Sequence, residues 1–310
     1  MSGAERILVI KLGALGDFVQ ALGPFAAIRR HHGAAHITLL TTAPFEELAR
    51  QSGYFDAVLL DRRPRWWQVA GWLRLRARLR ASRFTRVYDV QTSGRSSAYF
   101  QLLRPGRRPE WSGIAKGCSH PHDNPGRDAM HSLDRQAEQL RLAGIAEVPP
   151  ADLGWAEAEV SRFHLGSRYV LLVPGGARHR PKKRWPADRY AGLARRLIER
   201  GVEPVLIGGA DQQALLAGIA GAAPGCRDLA GLTSHAEVAV LARGAAGAVG
   251  NDTGPMHLIA AAGCPSLVLF SDASDPALCA QAGPAVRILQ HPDLAGLGVD
   301  QVEAALTLRD

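Results

Sequence analysis

Read for the spacing of apolar and polar positions, the chain begins with a continuous hydrophobic run, RILVI at 6–10. A short run without alternation predicts a strand buried on both faces, as in a parallel sheet. A Gly-rich turn follows, then a helical stretch over 18–31 with Gly33 as its expected C-cap. HITLLT at 36–41, DAVLLD at 56–61 and RVYDVQ at 86–91 predict three more strands. This alternation implies a parallel sheet with helices on both faces. Residues 104–128 carry Pro, Gly, His and Arg with no period and predict a long loop. A helix is expected near 130–143, ending at Gly144, and the Pro-containing passage 146–168 suits a linker.

The rhythm restarts at YVLLVPGG, 169–176. Helices are expected near 187–200, 211–221 and 234–244, and strands at 203–209, up to Gly250, and at 265–270. The fold class is therefore α/β, with two doubly wound domains in tandem: 1–150 and 169–310, joined by a linker at 151–168. No period of 20–50 residues recurs, which excludes a solenoid.

Composition narrows the class. The 310 residues are 46% hydrophobic, with 33 Gly and 19 Pro, as in a folded, loop-punctuated protein. No apolar run reaches the roughly 18–20 residues of a membrane helix. The start, MSGAERILVI, has an acidic residue and no small-residue cleavage site, so it does not read as a secretory signal. Four widely spaced cysteines (Cys118, Cys226, Cys264, Cys279) argue against structural zinc and a disulfide framework and fit a reducing cytoplasm. The net charge of +8 points to anionic partners: nucleic acid, a phospholipid surface or phosphorylated small molecules.

Three stretches carry candidate chemistry. In NDTGPMHLIAAAGCPSLVLF, 251–270, Thr253 or Asp252 can cap a short helix, Pro255 suits its first turn and Gly263 its end. A helix starting at a strand's carboxyl end aims backbone N–H groups and its positive dipole end at an anion. In KLGALGDF, 11–18, the glycines fall short of G-x-G-x-x-G, and the lysine precedes them. No acidic residue ends the next strand, so a nicotinamide dehydrogenase and a P-loop NTPase are disfavoured. Asp17 there reads either as a helix cap or as a general base. In PGGARHRPKKRWP, 174–186, two glycines and a Lys/Arg cluster could neutralise a diphosphate or form a solvated basic loop.

The segment 61–84 interleaves Arg with Trp and Leu; read as a helix its arginines fall on more than one face, so it is not a clean interfacial amphipath. It could dock on an anionic membrane, grip an acidic acceptor, or lay its arginines over its own domain. His31, His32 and His36 read as surface or packing residues, and no metal-ligand spacing appears.

Four segments together, ILVIKLGALGDFVQALGPFAAIRR, YDVQTSGRSS, PGGARHRPKKRWPADRYAGLARRL and the 251–270 stretch, resemble glycosyltransferase family 9. These are the ADP-heptose:lipopolysaccharide heptosyltransferases and their relatives. The resemblance implies the GT-B architecture, two facing Rossmann-like domains with the active site in the cleft between them. It implies an inverting transfer with no catalytic metal and no cofactor beyond the nucleotide-sugar substrate. By position, Asp17 falls on the family's catalytic base and Lys183 on the group that binds and stabilises the departing diphosphate. Donor contacts fall on Gly175, Gly176, Lys183, Arg184, Gly208, Asp252, Thr253, Gly254, Pro255 and His257. The acceptor side falls on Gly13, Gly16, Asp17, Gln91 and Arg95. Where heptose-transferring members often carry Glu, this chain has Gln212 and Gln213, and its loop 104–128 is its own.

The resemblance implies an acidic glycolipid acceptor at the cytoplasmic face of the inner membrane, a cytoplasmic enzyme with peripheral membrane contact, and no nucleic acid. A nucleic-acid binder lacks an RRM, zinc-finger or helix-turn-helix signature. A Rossmann oxidoreductase lacks its fingerprint, and Asp17 with Lys183 speaks against an inactive binding protein.

Overall fold

A computed structural model describes residues 5–103, 106, 108–176 and 180–309. The chain divides into two compact units, Met1–Ala151 and Asp152–Asp310. Among the described residues each unit holds one six-stranded sheet. The first runs β1 (Arg6–Ile10), β2 (His36–Thr41), β3 (Ala57–Leu60), β4 (Arg86–Asp89), β5 (Glu110–Gly113) and β6 (His120–Pro121). The second runs β7 (Tyr169–Val173), β8 (Glu203–Leu206), β9 (Arg227–Asp228), β10 (Gly247–Asn251), β11 (Ser266–Phe270) and β12 (Val286–Gln290). Their spatial orders are β3-β2-β1-β4-β5-β6 and β12-β11-β10-β7-β8-β9. Every pairing is parallel. Both are therefore the same doubly wound sheet, in which the chain steps outward over three strands and then returns to the other side of the first.

In the first unit β1 is buried from Ile7 to Ile10, as its unbroken apolar run requires. The helix expected over 18–31 is two helices, Leu15–Gln20 and Leu22–His31. Pro24 explains the break, because it has no N–H to continue the ladder and is tolerated only in a first turn. His32, not Gly33, caps the second helix, donating its backbone N–H to Ile28 O at 3.0 Å. β4 stops at Asp89 because its Oδ1 accepts from the amides of Gln91 and Thr92 at 3.2 and 3.1 Å, forming a turn. The loop expected over 104–128 contains β5 and β6. They escape pattern reading because one has four residues and the other two, too few to show a period. Trp111 nevertheless anchors β5 in the core with Phe100 and Tyr99.

In the second unit the helix Ala187–Glu199 buries Tyr190, Ala191, Leu193, Ala194 and Leu197, the stripe of a helix facing a core. It packs there with Trp185, Leu206 and Val302. The expected strand 203–209 ends at Leu206, and the expected helix 211–221 opens as a 3-10 turn, Ala210–Gln212, before Gln213–Ala222. The passage expected as a linker, 151–168, belongs from 152 onward to the second unit. Leu153 and Ala156 are wholly buried, and the Arg243 guanidinium donates to both their carbonyls. Arg162 adds an ion pair with Glu237 at 2.7 Å.

Candidate functional site

In a doubly wound sheet the loops after the first and fourth strands leave in opposite directions, opening a crevice at the strands' carboxyl ends. In the second unit those strands are β7 and β10, and the loops begin at Pro174 and Asp252. Asn251, fully buried at the end of β10, ties the walls together. Its Nδ2 donates to Pro174 O and Gly175 O at 2.9 and 3.1 Å, and its Oδ1 accepts from Trp185 N at 2.9 Å. The Tyr190 hydroxyl lies 3.2 Å from the same oxygen. This side chain therefore fixes the glycine loop and the start of the basic segment relative to the Asp-Thr-Gly turn.

Beside it Asp252 is a hub. Its Oδ2 lies 2.6 Å from Lys183 Nζ and accepts from Ser274 Oγ at 2.9 Å, while Oδ1 accepts from Gln281 Nε2 at 3.0 Å. Burial alone would raise its pKa, but the Lys183 ammonium and the two neutral donors outweigh that and hold the carboxyl below its ordinary range. Lys183, at the end of a 3-10 turn over Pro181–Lys183, is thus oriented by Asp252 into this crevice.

Thr253 caps the helix Gly254–Ala261 without a side-chain capping bond; its Oγ1 is buried with no partner among the described residues. The donor set at this turn is smaller than expected. Pro255 has no N–H, and Met256 N already donates to Thr253 O at 3.2 Å, which leaves the amides of Thr253 and Gly254 to the crevice. Ala262 is the C-cap, with Gly263 following it at φ +87. His257 is buried with the apolar residues of the same helix.

Gly175 and Gly208 both lie against the Gln212 side chain, whereas Gly176 has room for a Cβ. A Cβ at Gly175 would sit 1.9 Å from Gln212 Oε1, and one at Gly208 2.7 Å from the same atom. The Gln212 amide therefore occupies a slot between the ends of β7 and β8. A Cβ at Gly176 would meet Arg184 Nε and Thr253 Cγ2 at 3.5 Å each. Arg184 donates to Gly176 O at 2.6 Å, and its buried Nε has no partner among the described residues. Ala177, Arg178 and His179, part of the basic stretch, lie outside the described residues.

In the first unit the equivalent strands are β1 and β4. A polar pocket of about 170 Å³ between their loops is lined by Lys11, Asp17, Gln91, Thr92, Arg127 and Arg135, among others. Asp17 is exposed, in the first turn of Leu15–Gln20, and its Oδ2 accepts from Ala14 N at 3.2 Å. Gly13 has φ +115, and a Cβ there would lie 2.8 Å from the Phe45 ring, so the loop fits only without a side chain. Gly16 is buried in the helix. Lys11 is buried, donating from Nζ to Val90 O at 3.0 Å; desolvation lowers its pKa against the opposing pull of Asp17 and Asp89. Gln91 lines the pocket but also accepts the Leu12 amide at 2.7 Å, a structural duty. Arg95 is held elsewhere: it bonds Asp61, Tyr99 and Pro64 O and lies 5.0 Å over Trp72.

Asn251, Ser274, Gln281, Lys11, Arg127 and Arg135 were not singled out by sequence reasoning. The signal for Asn251 was available, as the last residue of a strand before the Asp-Thr-Gly turn. Ser274 and Gln281 reach Asp252 across 22 and 29 residues and leave no local pattern.

The sequence model described as "Glycosyltransferase family 9 (heptosyltransferase)" matches residues 72–291, a span that includes the whole Lys183–Asp252 crevice. The chain belongs to glycosyltransferase family 9. It is accordingly a glycosyltransferase. Lipopolysaccharide heptosyltransferase 2 of Salmonella typhimurium is 27% identical over 290 residues, covering 87% of this chain and 83% of that one. The enzyme of the same name from Escherichia coli is 27% identical over 298 residues, with the same coverage. Among solved structures, E. coli ADP-heptose LPS heptosyltransferase II superposes with a TM-score of 0.80 at 22% identity, over 97% of both chains. The family 9 glycosyl transferase from Veillonella parvula gives 0.83 at 18%, over 97% and 95%. E. coli heptosyltransferase WaaC with ADP gives 0.76 at 20%, over 96% and 98%. These likenesses bear on the fold, which is the pair of Rossmann-like units of the GT-B class.

Proposed function

We propose that this family 9 enzyme transfers heptose from ADP-heptose to a lipopolysaccharide core or related acidic glycan, inverting the anomeric centre without a metal. The carrying observation is the Lys183–Asp252 pair at the second unit's crevice, flanked by Gly175, Gly176, Arg184 and the Thr253 turn. In the proposed step an acceptor hydroxyl oxygen attacks the anomeric carbon from the face opposite the diphosphate. Its proton passes to the Asp17 carboxylate, and the bond between carbon and diphosphate oxygen breaks. The negative charge that gathers on the leaving group is met by Lys183, Arg184 and the amides of Thr253 and Gly254. Donors prearranged in this way are worth roughly 3–4 kcal/mol each when removed.

The names of the similar enzymes and of the family support heptose and lipopolysaccharide. The net charge of +8 favours an anionic acceptor, and Arg127 and Arg135 line the pocket beside Asp17, sharing Asp128 as their carboxylate partner. An acceptor with a lipid anchor puts the reaction at a membrane face on the cytoplasmic side.

The test is turnover of ADP-heptose with a core acceptor in the presence of EDTA, with the product's anomeric configuration read by NMR. Asp17→Asn should bind donor as the wild type does and lose turnover by about 10²–10⁴-fold. Retained turnover removes Asp17 as the base. A thermal shift with UDP-, GDP- or dTDP-sugars but none with ADP-heptose removes the donor assignment.

A further inference from the structure

The helix Val69–Ala81 and the turn before it divide their residues between two faces. Leu75 and Leu79 are buried, Trp72 donates its ring N–H to Arg65 O at 3.1 Å, and Arg76 turns back to Leu102 O at 3.1 Å. These serve the unit's own packing. The other face does not. Trp66 is 82% exposed, Trp67 53%, Val69 63% and Leu73 56%. Among the described residues only seven large hydrophobic side chains stand exposed, and four of them are gathered here. Val69, Leu73 and Ala77 recur at helical spacing as a stripe along one face of the helix, and Trp66 and Trp67 stand exposed in the turn that leads into it.

The charges around the stripe have one sign. Between Arg62 and Arg86 the chain carries nine arginines and no acidic residue. Arg62, Arg65, Arg74 and Arg78 are exposed beside the stripe, while Arg63 turns back to donate to Leu12 O at 2.8 Å. Arg65 lies 5.1 Å over the Trp67 ring, and the two tryptophans pack edge to face at 5.4 Å. A groove of about 790 Å³ runs along this face, lined by Arg62, Trp67, Val69, Arg74 and Arg78 among others. The one carboxylate lining it, Asp61, is buried and already bonded to Arg95 and Tyr99.

We propose that this face is a membrane-docking surface: Trp66, Val69 and Leu73 enter the interfacial region of a bilayer while the arginines bind anionic headgroup phosphates. Exposed tryptophan beside aliphatic side chains suits the boundary between headgroups and acyl chains. Arginine pairs with phosphate through two donors, and it can do so here without an acidic neighbour competing. A protein partner would need acidic groups in register with the arginines, whereas a fluid anionic surface needs no register. The surface deepens the proposed reaction by bringing the enzyme to a lipid-anchored acceptor, but it stands on this face alone.

The test is co-sedimentation of the full chain with vesicles of phosphatidylglycerol mixed with phosphatidylcholine, against vesicles of phosphatidylcholine only. Binding to the mixed vesicles, its release by salt, and a blue shift of tryptophan emission lost in Trp66→Phe are expected. The triple variant Trp66→Ser, Val69→Ser, Leu73→Ser should bind about tenfold more weakly or worse. Arg74→Gln and Arg78→Gln should each cost about fivefold. Unchanged circular dichroism and unchanged ADP-heptose binding show that the variants are folded. Failure of the wild type to bind the mixed vesicles, equal binding to both kinds, or wild-type binding by the triple variant overturns the proposal. No acceptor is present in this assay, so its failure leaves the transfer reaction standing.

Discussion

Lys183 Nζ lies 2.6 Å from Asp252 Oδ2, with 13% and 8% of the two side chains exposed. The lysine offered to the diphosphate therefore already has a carboxylate partner, and its removal leaves that buried carboxylate without a cation. Lys183→Ala should lower the unfolding free energy by about 3–5 kcal/mol, and adding Asp252→Asn should restore part of it. Urea unfolding of both single variants and the double variant reads this coupling. Donor affinity should stay weak in the double variant, which separates the stability role of the pair from binding. If the single and double variants are equally stable, the pair has no stabilising coupling.

Gly175 and Gln212 form a second coupled pair. Because the atom in the way is the end of a flexible side chain, Gly175→Ala should cost little stability, yet it expels the Gln212 amide from its slot. It should then weaken donor binding as Gln212→Ala does, and the double variant should be no worse than either. Calorimetric titration with ADP-heptose checks this; additive losses would mean that the two residues act separately.

Asn251 touches no ligand in this scheme but joins three segments. Asn251→Ala removes acceptors and donors that hold buried backbone groups, at about 1–3 kcal/mol for each group left unpaired. A substantially lowered Tm together with weaker donor binding is expected. Asn251→Asp, which keeps the acceptor for Trp185 N but cannot donate to Pro174 O and Gly175 O, should fall in between or worse at neutral pH.

Burial pushes the Asp89 carboxyl up to about 6, against the opposing hydrogen bonds from Ser96, Thr92 and Gln91 and the charge of Lys11. In the unfolded chain the same group has its ordinary value of 3.8. The native state thus holds the proton longer than the unfolded one, and this group's contribution declines as pH rises from about 4 to about 6, then stays level. The size is about 3 kcal/mol. Asp89→Asn keeps Oδ1 for the Gln91 and Thr92 amides and cannot titrate. Its stability relative to wild type should therefore improve by about that amount across the window, as measured by denaturation at a series of pH values. A pH-independent difference would show that Asp89 ionises normally.

Most of the elements that the sequence discloses are buried along their whole length, although β3, also expected, is half-buried throughout. β1, β7 and β11 are nearly continuous apolar runs, β2 and β10 are buried almost throughout, and the helix Ala187–Glu199 carries a plain stripe, so pattern reading finds them. β12 is an edge strand with exposed positions at Arg287, Ile288 and Gln290, and β6 is two residues long, so neither leaves a usable pattern. The site divides in the same way. Lys183 and Asp252 sit next to turn signals and stand out, and the structure brings them into contact. Their supports, Ser274, Gln281 and Asn251, act through tertiary distance. Arg95 stands out by position, yet Asp61 and Tyr99 claim its guanidinium, a competition that only folding reveals.

Because each crevice is walled by the first and fourth strands of its sheet, its two sides come from distant parts of the chain. Leu12 and Gln91 are 79 residues apart, and Pro174 and Asn251 are 77. Neither half-site can exist on a chain still emerging from the ribosome until its fourth strand has been made and docked. A nascent chain stalled before residue 247 would carry the glycine loop and Lys183 but no wall opposite them, and it would be unable to sequester a nucleotide-sugar before synthesis nears its end.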